Sequence, residues 1–274
     1  IIYIALPHNY HFEWIVKCIN SNKNVLSEKP ATVNFDQIKK INKLINNKKI
    51  FFAEGFMYRY HPQTKHIIEI IKNNEIGEIL YMESFFGNNI IEKKNWIGFK
   101  KIKINEKNRL FNKDLAGGSI LDLGCYPVSM STMIANLKSP LDNKSVKLLN
   151  PKIDIGPTNV DIDSYCEIDF NNNFKSYIGS SFKKNLGQIT KIKGSKGETV
   201  ISNSWHCSPA EIFLNKKKYK EIKIKYKNIF SYEIESISNS LINKKLSPDY
   251  PGITRFETEQ NMEIIDKWAE VNEK

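Results

Sequence analysis

Three short apolar runs separated by two stretches of helical periodicity open this chain, and that alternation constrains its fold more than any other feature. Residues 1–6, Ile-Ile-Tyr-Ile-Ala-Leu, read as a buried strand. Phe12, Ile15, Val16 and Ile19 then recur at helical spacing. Residues 24–27 give a second strand. Asn34 and Gln37 have the spacing of a capping box ahead of a helix that carries Phe35, Ile38, Ile41, Leu44 and Ile45. Residues 50–53 give a third strand. Strands joined by single helices of this length predict parallel βαβ units. Ligands in such sheets sit at the carboxyl ends of the strands. Those ends are Pro7-His8-Asn9, Glu28-Lys29-Pro30 and Glu54-Gly55-Phe56.

The pattern changes after Arg59. A helix is predicted over 62–73, with Ile67, Ile68 and Ile71 inward and Gly77 ending it, followed by a strand over 79–87. A polar loop over 88–116 contains Trp96 and Arg109, and loops of that length are usually functional or disordered. Ser119 is positioned to cap a helix reaching about residue 137. Strands are then predicted around Lys147 and over 161–170, 174–181, 188–194, 198–202, 211–214 and 219–224. The alternation over 161–170 fits an antiparallel sheet with one covered face. Two helices, over 231–243 and 254–271, close the chain. The expected architecture is α/β plus α+β. A parallel-sheet domain spans 1–57, and a mainly antiparallel sheet domain with helices spans 58–274. The last helix is free to return to the first domain.

Composition narrows the function classes. The chain has 274 residues, 41% of them hydrophobic, enough for one large core or two ordinary ones. No apolar run approaches the roughly 20 residues of a membrane-spanning helix. The formal charge of +11 comes from lysines scattered throughout a sequence rich in Lys, Asn and Ile. No basic stripe interleaved with aromatics marks a nucleic-acid surface, so neither nucleic acid nor membrane is an expected partner. Cys18, Cys125, Cys166 and Cys207 lack metal-ligand spacing. That fits a reducing, cytoplasmic protein without a metal cluster or a disulfide framework.

Three segments carry groups suited to proton transfer at a carbinol. Lys29 is held at a strand end by the proline that follows it. Asp122 and Tyr126 stand four apart and share a face if a helix runs through them. Arg59 and His61 lie where the first domain gives way to the second. Each segment also has a plain structural reading: a surface lysine, a capping carboxylate with a core aromatic, and an interdomain salt bridge.

Taken in order, the run 6–11, Glu28-Lys29-Pro30, the run 54–62, Asn108-Arg109 and Gly117 to Tyr126 resemble the glucose–fructose oxidoreductase / inositol dehydrogenase / MocA family. The likeness is nearest to its dimeric dihydrodiol dehydrogenase and D-xylose dehydrogenase branch. The resemblance implies an incomplete Rossmann domain over 1–57 followed by an open-faced, mainly antiparallel sheet domain with helices on one face over 58–274, in an NAD- or NADP-dependent oxidoreductase acting on a CH–OH group of an aldose or cyclic vicinal diol. It implies that Lys29 orients the reacting hydroxyl and contacts the nicotinamide ribose, and that Tyr126 is the acid/base. Asp122 would help to position substrate. Pro7, His8, Asn9, His11, Glu28, Lys29, Arg59 and Arg109 would line the cofactor crevice. A homodimer through the antiparallel sheet is implied as well. A non-catalytic sensor or partner-binding protein that keeps the fold is the alternative. One departure is large. The G-x-G-x-x-G turn that cradles the pyrophosphate in this family is nowhere in the chain. The expectation is that the chain begins near the family's fourth strand and lacks roughly a third to a half of the Rossmann domain. By itself it would then bind cofactor poorly, be inactive, and expose an unpaired sheet edge.

Overall fold

A computed structural model describes residues 1–95, 98–101, 104–141 and 145–270. The first unit is a parallel sheet of three strands in the order β1 (Ile2–Ile4), β2 (Val25–Glu28), β3 (Phe52–Gly55). Helices α1 (His8–Asn20) and α2 (Phe35–Asn46) make the crossovers. Alternate strand residues point to opposite faces. Ile4, Val25 and Phe52 pack with Ile15, Ile19, Ile38 and Ile41 of the two helices in one core. Each aliphatic side chain buried this fully contributes roughly 1.5–3 kcal/mol. The Asn34 side chain accepts the Gln37 N–H at 3.0 Å, and the Gln37 side chain reaches back to the Val33 N–H at 3.2 Å. Leu26 and Ala53 face the other way, against Tyr60, Tyr232 and Ile237. β1 is an edge strand, and Ile1, Ile2 and Tyr3 are about half exposed.

A 3₁₀ turn (Met57–Tyr60) leads into α3 (Pro62–Lys72) and the second unit. Its sheet has eight strands. They are β4 (Ile79–Gly87), β7 (Lys147–Ile155), β8 (Asp161–Asp169), β9 (Lys175–Ser181), β10 (Thr190–Gly194), β11 (Glu198–Ile201), β12 (Ile212–Leu214) and β13 (Lys217–Lys218). They lie in the order β13-β12-β11-β10-β4-β9-β8-β7. All pairs are antiparallel except β4 with β9. Helix α4 (Cys125–Lys138) lies on one face, buried on every side from Cys125 to Ala135. It is wedged between the sheet and α6 (Arg255–Ala269), which also packs on α2. Helix α5 (Phe230–Ile242) covers the Leu26 face of the small sheet. No helix among the described residues is long and apolar enough to cross a membrane.

Several local expectations change. Residues 88–116 are not one loop: β5 (Glu92–Asn95) and β6 (Gly98–Lys101) form a hairpin, and two 3₁₀ turns follow at Arg109–Phe111 and Lys113–Leu115. Trp96 and Val271 lie outside the described residues. Residues 219–224 form no strand. Ser119 does not cap its helix through its own side chain, and the chain enters α4 through a π-helical turn, Ile120–Gly124. The homodimer implied through this sheet would not use the apolar set of β8, which faces inward. Ile162, Ile168 and Phe170 are at most 7% exposed, while Tyr165, Glu167 and Asp169 line the outer face.

Candidate active site

The carboxyl ends of β1 and β2 meet the π-helical turn, and Asp122 is the point of convergence. Lys29 follows the last residue of β2. Its Nζ donates to the Asp122 carbonyl at 2.6 Å, stands 3.6 Å from Asp122 Oδ1, and lies 4.9 Å from the centre of the Tyr126 ring. Arg109, from the first 3₁₀ turn after the hairpin, donates through both terminal nitrogens to the same Oδ1 at 3.3 Å. His8, the first residue of α1, places Nε2 3.8 Å from that oxygen. The segments are distant in sequence and only the tertiary fold joins them.

The electrostatics follow from this crowding. Burial pushes the Asp122 carboxyl upward, but the charges of Lys29 and Arg109 outweigh it and hold the group below the usual carboxylate range. Burial opposes the Lys29 ammonium, and Tyr126 and Asp122 more than offset that, so its pKa stays raised. Burial, aided by the Lys29 charge, lowers His8 to about 4. His8 is therefore neutral at pH 7. Its Nδ1 lies 3.0 Å from the Ala116 carbonyl, which can only accept, so Nδ1 carries the proton. Nε2 is then a bare acceptor facing a carboxylate oxygen. Two acceptors therefore stand 3.8 Å apart, and a substrate hydroxyl can donate its one proton to either.

Tyr126 lies below this group in an aromatic cluster with Phe56, Tyr58, Phe86 and Trp205 at 5.3–6.1 Å. Its hydroxyl donates to Met57 Sδ at 3.5 Å, a weak acceptor that gives it up readily. Burial raises the phenol pKa, and the Lys29 charge only partly counters this. The ammonium above the ring therefore does not yield a phenolate at neutral pH.

Asp161, absent from the sequence reading, sets the height of the Asp122 turn. This buried carboxylate at the start of β8 accepts Ser119 Oγ at 2.6 Å, the Ile120 N–H at 2.8 Å and Ser164 Oγ at 3.2 Å. It thus caps the turn that carries Asp122 from a different strand. Gly118, at φ +118°, fits only as glycine, since a Cβ there would meet Asp161 Oδ1 at 2.2 Å.

The remaining sequence candidates divide. Pro7 precedes α1 at the crevice rim, and Asn9 keeps a buried Oδ1 with no hydrogen-bond partner. His11 is fully buried, its two ring nitrogens 2.8 Å from the Leu6 and Pro30 carbonyls. It ties the ends of β1 and β2 together and does not line the crevice. Glu28 turns to the opposite face of the sheet and accepts the Tyr3 hydroxyl. Arg59 is also away from the crevice. It is wholly buried, its guanidinium bonded to Glu257 at 2.5 Å, to the Pro251 carbonyl at 2.7 Å and to the Ser129 carbonyl at 3.2 Å. These three bonds lock α6 to the 3₁₀ turn, the kind of ion pair that the structural reading of that motif describes. Among the described residues no cluster of His, Cys, Asp and Glu could hold a metal ion.

The residues present suit a nicotinamide group. The orphaned Asn9 Oδ1 suits an amide donor, and the Lys29 ammonium suits a ribose hydroxyl. The pyrophosphate end finds no glycine-rich turn in this chain.

Comparison with known proteins agrees with the architecture. Residues 1–56 match the oxidoreductase family with an NAD-binding Rossmann fold. Residues 64–200, half of the chain, match the GFO/IDH/MocA C-terminal domain. The chain therefore belongs to the GFO/IDH/MocA oxidoreductase family. It is 26% identical over 221 residues to trans-1,2-dihydrobenzene-1,2-diol dehydrogenase of Xenopus tropicalis, a match covering 80% of this chain and 60% of that protein. It is 29% identical over 208 residues to D-xylose 1-dehydrogenase (NADP(+)) of Hypocrea jecorina, covering 73% and 52%. The chain thus spans between about half and three fifths of the length of these relatives. Its fold matches aldose–aldose oxidoreductase from Caulobacter crescentus complexed with glycerol, with a TM-score of 0.79 at 15% identity, covering 99% of this chain and 77% of that one. It also matches a 3-ketoreductase from Actinomadura kijaniata in complex with NADP and TDP-benzene, with a TM-score of 0.77 at 17% identity, covering 96% and 75%.

Proposed function

We propose that the protein carrying this chain is an NAD- or NADP-dependent oxidoreductase acting on a CH–OH group of an aldose or cyclic vicinal diol. The observation that carries this is the convergence of Lys29, His8 and Arg109 on one oxygen of Asp122, beside the Tyr126 ring. In the direction of reduction, the Lys29 ammonium donates to the substrate carbonyl oxygen and stabilises its developing charge. Asp122 Oδ1 accepts a neighbouring substrate hydroxyl and fixes its orientation, with His8 Nε2 beside it as a second acceptor. The Tyr126 phenol, kept protonated by burial, gives the proton to the oxygen, and Lys29 stabilises the phenolate left behind. The nicotinamide, when bound, supplies or takes the hydride. Oxidation runs the same proton path backwards.

We place the change of domain at residues 57 and 58, at the 3₁₀ turn, with α6 returning to the first unit. A second copy of the chain would meet the outer face of the large sheet, where Tyr81 and Tyr177 pair edge to face at 6.1 Å. A monomer mass by light scattering at micromolar concentration would remove that contact.

The activity is tested by following NAD(P)H absorbance with D-xylose and with cyclic vicinal diols, using wild type and Tyr126→Phe. Turnover by wild type, with kcat reduced at least tenfold in Tyr126→Phe and nucleotide affinity retained, is expected. No turnover of either nucleotide across aldoses and cyclic diols would overturn the assignment.

A further inference from the structure

The aromatic wall beside Tyr126 continues to a residue outside every motif. Trp205, wholly buried, packs 5.5 Å from Tyr126 and donates its indole N–H to the Phe85 carbonyl at 3.1 Å. This anchors the segment between β11 and β12. Ser204 adds a second anchor, its N–H donating to the Gln188 carbonyl at 2.7 Å. The next residue, His206, is exposed although Trp205 and Cys207 on either side are buried. Its ring stands edge-on to Phe86 at 5.9 Å, and Phe86 in turn meets Tyr126 at 5.3 Å. One ring therefore separates His206 from Tyr126, on the sheet side of the crevice.

Gln188 fixes the tautomer of that imidazole. The His206 backbone N–H and its ring Nδ1 both meet Gln188 Oε1, at 3.3 and 2.6 Å. A backbone N–H can only donate, so the Gln188 atom there is the amide oxygen, and Nδ1 must carry the ring proton. In the neutral ring Nε2 is then a lone-pair acceptor, and it has no partner among the described residues. Burial lowers the His206 pKa and the charge of Lys29 lowers it further, which favours the neutral form.

Building on the oxidoreductase reading, we propose that His206 Nε2 accepts a hydrogen bond from a substrate hydroxyl remote from the reacting carbon, and so selects polyhydroxylated substrates such as aldoses. A site built to pair a hydroxyl discriminates against an analogue that lacks it, because bound substrate displaces the water on the acceptor without replacing its hydrogen bond. The exposed position of His206 means that replacing it disturbs little packing.

D-Xylose and its monodeoxy analogues are the probes, with wild type, His206→Phe and Gln188→Leu. Wild type is expected to prefer D-xylose over one particular monodeoxy analogue by about tenfold in kcat/KM. His206→Phe should reduce that one preference to within about twofold, through KM, with kcat nearly unchanged. Gln188→Leu, which frees the tautomer, should lose part of it. Equal discrimination in wild type and His206→Phe, or none in wild type, overturns the proposal. A second readout does not depend on turnover. The ¹⁵N resonance of His206 Nε2 should shift on adding D-xylose. A shift in a protein that turns over no sugar would sink the enzymatic reading and keep the binding role; no shift would sink the binding role even in an active enzyme.

Discussion

Asp122 and Glu233 are both buried carboxyl groups near the carboxyl ends of the small parallel sheet, at 8% and 2% exposure, yet their charges differ. Asp122 has a lysine and an arginine within 3.6 Å and is held ionised. Glu233, on α5, has none among the described residues. Its Oε1 lacks a hydrogen-bond partner, and the charge that acts on it is the like charge of Glu28 at the end of β2. Burial first, and the like charge of Glu28 second, push Glu233 up to about 8. Desolvation acts on both, so the supply of cations decides the outcome. The division begins at two adjacent residues: Glu28 faces the Tyr3 and Glu233 side of the sheet, and Lys29, one position later, reaches Asp122. One side of the sheet holds a permanent charge, and the other holds an acid that can take up a proton.

The largest expected effect comes from removing the cation that both distinguishes the two sides and faces the substrate. Lys29→Ala should lower kcat/KM by on the order of 10²–10⁴, the range expected for a positioned proton-transfer partner. Asp122 should also become easier to protonate. A Lys29→Ala protein within threefold of wild type in kcat/KM would show that the Asp122 cluster is only structural.

The uncompensated side is read through stability. The folded-state pKa of Glu233 lies above its unfolded value of 4.5, so the folded protein binds the proton more tightly over the interval from 4.5 to about 8. That contribution is fully present below pH 4.5 and is lost as pH rises through about 8. Glu233→Gln mimics the protonated form. It should melt higher than wild type at pH 8, by a margin of roughly 1–3 kcal/mol. The margin should close as pH falls toward 4.5. Parallel melting curves for the two proteins from pH 5 to 8 would mean that Glu233 finds a partner in solution.

The contrast also marks what was legible in the sequence. The βαβ order and the Asn34 cap are local patterns, and the fold realises them, although Gln37 reaches back to Val33 instead of Asn34. Lys29 was visible because a proline fixes its strand end. Asp161 was not, because it caps the Asp122 turn from 39 positions or more downstream, and nothing in an alternating strand marks its first carboxylate as a cap. Arg59 read as a crevice residue because a motif does not say which way a side chain turns; its partner Glu257 lies 198 residues away. His206 and Glu233 gave no signal at all. An exposed histidine in a loop and a glutamate in a helix are ordinary until the fold supplies Gln188 for one and withholds a cation from the other.

The smallest effect sharpens the comparison most. Arg109 supplies part of the field that keeps Asp122 ionised, but its side chain is 50% exposed, so solvent screens the pair. Lys29, at 14%, is screened less. Because Asp122 is held below the usual range, activity that needs its carboxylate should persist to low pH and fall only as that group protonates. Arg109→Ala removes one depressing charge, so Asp122 should protonate at higher pH and the acid limb of kcat/KM should move upward. Screened pairs contribute at most about 1 kcal/mol, so the shift should be less than about one pH unit. Raising ionic strength in wild type should move the limb the same way by a fraction of that shift, since salt weakens exposed pairs first. An acid limb that stays put in both experiments would mean that Lys29 alone sets the charge of Asp122.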